Sequence, residues 1–177
     1  QALGGAYSAA ENDSAAVFYN PAAMQTLDRF EVQAAFMPLF LDTIYNYLTL
    51  AYPTPDFGTF GFSLGVITTS GISVRDYTGQ ETGVTSQLMI EALAGWAINL
   101  PFENLYAGFN IKVDTQGMEA FSDTGFGSDI GILYSSAIDK DSSYRAGLVV
   151  KNLIEPMVKM SAVSDTIPRQ YIIAGNY

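Results

Sequence analysis

The chain has 177 residues, with 18 Asp and Glu against 8 Lys and Arg and a formal net charge of −10. That is one domain's worth of sequence, and it is too acidic for a nucleic-acid partner, which needs clustered Lys and Arg on phosphate. The absence of both cysteine and histidine excludes a disulfide scaffold, thiolate or imidazole metal sites, and Ser-His-Asp or Cys-His catalysis.

Only 15 % of residues are charged, against about 25 % in ordinary soluble domains, while 13 % are aromatic and the mean hydropathy is +0.17. No stretch reaches the ~18 consecutive apolar residues of a membrane-spanning helix. A greasy chain without such a helix is either a soluble β-sandwich with a large core or a β-barrel of an outer membrane.

The first 28 residues stand apart. "LGGAYSAAENDSAAVFYNPAAM", Leu3 to Met24, is small, flexible and weakly polar until it turns to "FYNPAAM". Asn20 suits a helix N-cap and Pro21 the first helical position, with a turn or two running over Ala22 to Leu27. The opening "QALGG" has neither the basic nor the apolar region of a signal peptide.

From residue 29 to 177 period two dominates. In "LYAGFNIKVDTQ", Leu105, Ala107, Phe109, Ile111 and Val113 share one face, and Tyr106, Gly108, Asn110, Lys112, Asp114 and Gln116 the other. A strand separates these sets and a helix would mix them. The same separation recurs in "SQLMIEALAGWAINL", "FGSDIGILY" and "YRAGLVVKN", and further strands are predicted near 29–40, 44–52, 59–69 and 169–177. The stretches "PTPDFG", "YTGQETG", "DTGFGSD" and "DKDSS" read as turns. The sum is about eight antiparallel strands of roughly 9–12 residues, the length that crosses a hydrocarbon core at a steep tilt. Aromatics fall near the predicted strand ends: Phe30, Tyr52, Phe60, Tyr106, Phe126, Tyr134, Tyr144 and Tyr177.

The inward pattern carries Glu91, Asn110, Lys112, Asp114, Asp129, Arg145 and Lys151. In a barrel these line the lumen, its charges paired with one another; in a sandwich they are a solvated face. No enzyme is expected. "DKDSS" begins like a calcium loop, but Tyr144 and Val150 stand where Gly and Glu are required. "GFGSDIG" has the wrong glycine spacing for a dinucleotide fingerprint. "NDS", Asn12 to Ser14, matches a glycosylation sequon by pattern only. The 18 acids single out no carboxylate pair for glycoside hydrolysis. No cofactor is implied.

Taken as a whole, the leader resembles the N-terminal signature of the PorV/PorQ-type outer-membrane proteins, within the superfamily of FadL-like long-chain fatty acid transporters. Gly4, Gly5, Ala6 and Tyr7 match its glycine-rich start, Asn12 and Asp13 its polar stretch, and Ala15, Ala16, Tyr19, Asn20, Pro21 and Ala22 its run into an aromatic and "NPA". More weakly, "AGFNIKV", "GSDIGILY", "AGLVVKNLIEP" and "IPRQYIIAGNY" resemble downstream strands of the family. The chain departs in lacking a methionine within the glycine run, and in offering about eight strands where the family has about fourteen; a fragment of a larger barrel is the expectation.

The resemblance implies an all-β, antiparallel transmembrane barrel in a bacterial outer membrane, residues 1–28 forming a lumenal plug and 29–177 the strands. It implies a structural, partner-docking role at the cell surface of the type IX secretion kind, with lipid and protein partners. The alternatives are a FadL-like channel for a hydrophobic small molecule and a secreted β-sandwich acting as adhesin or filament subunit.

Overall fold

The computed structural model describes residues 6–9, 13–118, 121–139, 142–159 and 165–176. The chain is all-β. After short turns at Ala6–Ala9, α1 (Ala16–Tyr19) and Pro21–Thr26 come β1 (Glu31–Pro38), β2 (Thr43–Thr54), β3 (Gly58–Arg75), β4 (Glu81–Asn99), β5 (Leu105–Met118), β6 (Phe121–Asp139), β7 (Ser142–Ile154), β8 (Met157–Val158), β9 (Asp165–Thr166) and β10 (Gln170–Asn176). Eight of these strands form one antiparallel meander in the order β1-β2-β3-β4-β5-β6-β7-β10, and β8 pairs with β9 as a separate two-stranded piece. All eight predicted strands are present.

Their lengths correct the expectation. β3 has 18 residues and β4 and β6 have 19 each, well beyond a globular strand of about 5–6. "DTGFGSD", predicted as a turn, lies wholly inside β6, and Glu81 to Gly83 of "YTGQETG" belong to β4. Phe126 and Tyr134 therefore sit within a strand and not at its ends. The remaining turn between β3 and β4 is held by Asp76, whose Oδ1 accepts from Thr78 Oγ1 at 2.6 Å, Thr78 N at 2.8 Å and Gln80 N at 3.0 Å. The Thr78 hydroxyl above all, with these backbone N–H groups, holds the Asp76 carboxyl below the usual carboxylate range.

The glycines of "GFGSD" answer to packing. Past β7 the chain folds inward, and a Cβ on Gly127 would come within 2.6 Å of Pro156 Cγ and 2.9 Å of the Ile154 carbonyl oxygen. Asn152, at φ 55°, makes the bend: its N–H donates to Asp129 Oδ1 at 2.8 Å and its Nδ2 to the Pro168 carbonyl at 2.8 Å.

The sheet is not closed. β1 and β10 stand at opposite edges with no ladder between them, so the expected closed barrel is corrected to an open eight-stranded sheet. The physical reason is room, because an eight-stranded barrel encloses only its own side chains, whereas here the leader lies against the inward face. The hydrophobic core is this contact: Ala16, Val17, Ala22, Ala23 and Met24 of the leader against Leu93, Ala97, Leu133 and Ala174 of the sheet.

Candidate functional site

Alternation gives the sheet two unlike faces. The face bearing Phe36, Tyr52, Phe60, Phe109, Ile111, Phe126, Ile132, Leu148 and Ile173 is exposed, Ile173 to 85 % and Phe126 to 69 %. Ladder register aligns Tyr52 with Phe60, Phe60 with Trp96, and Trp96 with Phe109, so four successive strands carry an unbroken aromatic row. Phe30 extends it, 6.2 Å from Tyr52 between ring centroids, and Trp96 meets Phe109 edge-on at 6.0 Å. Trp96 Nε1 donates to the Phe57 carbonyl at 2.6 Å, which ties the row to the β2–β3 turn.

The other face is mostly polar or small, with Ile67, Met89, Leu93, Leu133 and Val149 as its larger apolar residues, and the leader is built onto it. Asn20 is the pivot. Its Oδ1 caps the turn Pro21–Thr26 by accepting from Ala22 N at 3.1 Å, as the sequence predicts, with Pro21 buried at the first position. Its Nδ2 also donates to the Ser8 carbonyl at 2.9 Å and to Ile132 in β6 at 3.3 Å. Asn20 is fully buried, so Asn20→Ala, which strands these partners, is expected to cost about 1–3 kcal/mol. Chemical unfolding checks this; a loss of only a few tenths, below even the cost of removing a helix cap, would show that water replaces these bonds.

Of the other residues predicted to form a plug, Gly4, Gly5 and Asn12 lie outside the described residues, and Tyr7 falls in the turn Ala6–Ala9. Asp13 Oδ1 accepts from Ala15 N at 2.8 Å and from Gln33 of β1. Tyr19 is partly exposed, and with Phe18 it places a ring centroid 6.0 Å from Lys151 Nζ.

The inward set largely converges. Asn110 Nδ2 donates to the Val17 carbonyl at 2.7 Å, joining β5 to α1. Lys112, 4 % exposed, lies 3.1 Å from Asp129 and 3.7 Å from Glu91. Glu91 and Asp114 are cross-strand partners. Lys151 shares this region through the rings it faces. Arg145 does not join them; it lies toward the other end of β7, opposite Ser135.

A cavity of about 380 Å³ opens beside the cluster, bounded by Phe18 of the leader, Tyr45, Ile67 and Met89 of the sheet, Glu91 and Asp114, and Ile167 of the inward-folded segment. Phe18 escapes sequence reasoning because it sits in a segment without strand period. So do Ser14, whose hydroxyl meets Thr49 Oγ1 at 2.9 Å, and the glycines beneath the leader. A Cβ on Gly61, Gly95, Gly108 or Gly131 would strike Met24, Asn110, Pro21 or Asn20 respectively. The signal available was glycine recurring at inward positions of β3, β4, β5 and β6.

Among the described residues no helix is long and apolar enough to cross a membrane, and no group of three or more acidic side chains could hold a metal ion. No family model, curated protein or solved structure matches the chain.

Proposed function

We propose that the chain is an outer-membrane β-protein of the PorV/FadL-like kind, its long strands crossing lipid and its leader serving as an internal plug, with a structural, partner-docking role at the cell surface. The observation that carries this reading is the inverted polarity of the sheet. Its apolar face is exposed, while its polar face is filled by the chain itself. A soluble sandwich would cover the apolar face with a second sheet; among the described residues the only further sheet is β8–β9, which approaches β5 and β6 from the polar side. The aromatic row matches the girdle that such proteins set at the lipid boundary. It runs near the β2–β3 turn, the end beside which the leader packs, so that end is assigned to the periplasm.

The docking role is favoured by the two sheet edges, since β1 and β10 present backbone donors and acceptors that a partner's strands can take up. A channel for hydrophobic solutes is favoured by the cavity beside Phe18. Heat-modifiable gel migration with solubility only in detergent is the expected result; a stable monomer in plain buffer would sink the membrane reading. Loss of hydrophobic-solute uptake on deleting residues 1–24 would select the channel, and co-purification with a secretion partner would select docking.

A further inference from the structure

We infer that the cavity beside Phe18 is a binding site for the ammonium group of a hydrophobic amine, with Asp114 as its counter-ion. This rests on the membrane reading above and deepens its solute branch.

Asp114 lines the cavity, is 8 % exposed, and its Oδ2 has no hydrogen-bond partner among the described residues. A buried carboxylate oxygen without a donor is costly, and a ligand that supplies one removes the cost. Neither nearby lysine forms an ion pair with Asp114 among the described residues. Lys112 is engaged by Asp129 and Glu91, and Lys151 faces the rings of Phe18 and Tyr19. Glu91 stands directly across the ladder from Asp114, so two acidic side chains meet at the cavity wall, and a cation received there lowers their mutual repulsion. The local set is thus three carboxylates (Glu91, Asp114, Asp129) against two ammonium groups (Lys112, Lys151).

The rest of the lining selects the kind of cation. Phe18, Tyr45, Ile67 and Met89 offer apolar surface and π-faces that suit an alkyl or aryl ammonium and would leave a bare metal ion short of oxygen donors. A fatty carboxylate would meet Asp114 and Glu91 with the wrong sign.

The test uses the full chain in lipid nanodiscs and three probes of matched tail: octylamine, 1-octanol and octanoate. Octylamine is expected to bind saturably and at least roughly tenfold more tightly than octanol, and Asp114→Asn to weaken octylamine by about tenfold while leaving octanol unchanged. Equal affinity for amine and alcohol, a preference for octanoate, or indifference of octylamine to Asp114→Asn overturns the assignment. If Asp114→Asn does not fold, Glu91→Gln and the three-probe ranking on the unaltered chain decide. Heat-modifiable migration is read on the same sample. A folded membrane protein that ignores octylamine refutes the cavity assignment alone. A chain that is soluble without lipid refutes the membrane reading, and the same ranking is then required in buffer.

Discussion

Replacing Lys112 by methionine is expected to destabilise the folded chain by about 3–5 kcal/mol, the largest loss from any single charge on the inward face. The Lys112 side chain is 4 % exposed and its ammonium lies 3.1 Å from Asp129, whose side chain is 2 % exposed. Methionine keeps much of the side-chain volume, so the loss reports the charge left behind on Asp129 and not a cavity. Asp129 retains the Asn152 N–H at 2.8 Å, which solvates one oxygen but does not neutralise it. Glu91, 31 % exposed and 3.7 Å from the ammonium, contributes less. Adding Asp129→Asn to Lys112→Met removes the orphaned charge and should recover stability, giving a coupling within the ~0.5–3 kcal/mol seen for contacting pairs. The measurement is the midpoint of unfolding in urea for Lys112→Met, Asp129→Asn, the double variant and the parent. A Lys112→Met loss below about 1 kcal/mol, the scale of a solvated surface pair, would show that the cluster is open to water.

That pairing illustrates which parts of the molecule the sequence discloses. Alternation assigns Lys112 and Asp114 to one face and Phe109 and Ile111 to the other because the side-chain period of a strand is two, and burial agrees residue by residue. Which inward charges meet depends on ladder register between separate strands: it sets Gly127, not Asp129, opposite Lys112, so the Lys112–Asp129 contact is diagonal. Arg145 has the same sequence credentials, yet register carries it away from the cluster. The cap at Asn20 was legible since its partner is two residues on; its bond to Ile132 spans 112 residues and leaves no local trace. "DTGFGSD" misled because glycine serves turns and close approach alike, and the approaching Pro156 lies beyond the next strand. The open edge between β1 and β10 was not legible either, as alternation is the same in an open sheet and a closed one.

Close approach also gives the sharpest test of how the leader is seated. Gly108→Val is expected to eject the leader while leaving the sheet formed. A Cβ at Gly108 would lie 2.5 Å from both Pro21 C and Ala22 N and 2.7 Å from Pro21 O. These are backbone atoms, and they are held by the Asn20 cap and by a core that includes Met24, so no rotamer change relieves the clash. Overpacking of this kind costs at least about 1–3 kcal/mol, comparable with what Asn20 contributes, and the leader has few other polar ties to the middle of the sheet. Gly108 does not have a positive φ, and valine is the better strand residue, so β5 itself should not suffer. Gly61→Ala is the milder neighbour, since there the new Cβ meets the sulfur of Met24, the flexible end of a side chain. Gly83→Val in β4 is the control, because a Cβ there has nothing within 4 Å. Chymotrypsin reads the outcome at Phe18 and Tyr19. Cleavage should become fast in Gly108→Val, remain slow in Gly83→Val, and fall between them in Gly61→Ala, with heat-modifiable migration kept in all three. Slow cleavage in Gly108→Val would mean that the leader is not seated on β5, and loss of heat-modifiable migration would mean that the leader is part of what holds the sheet together.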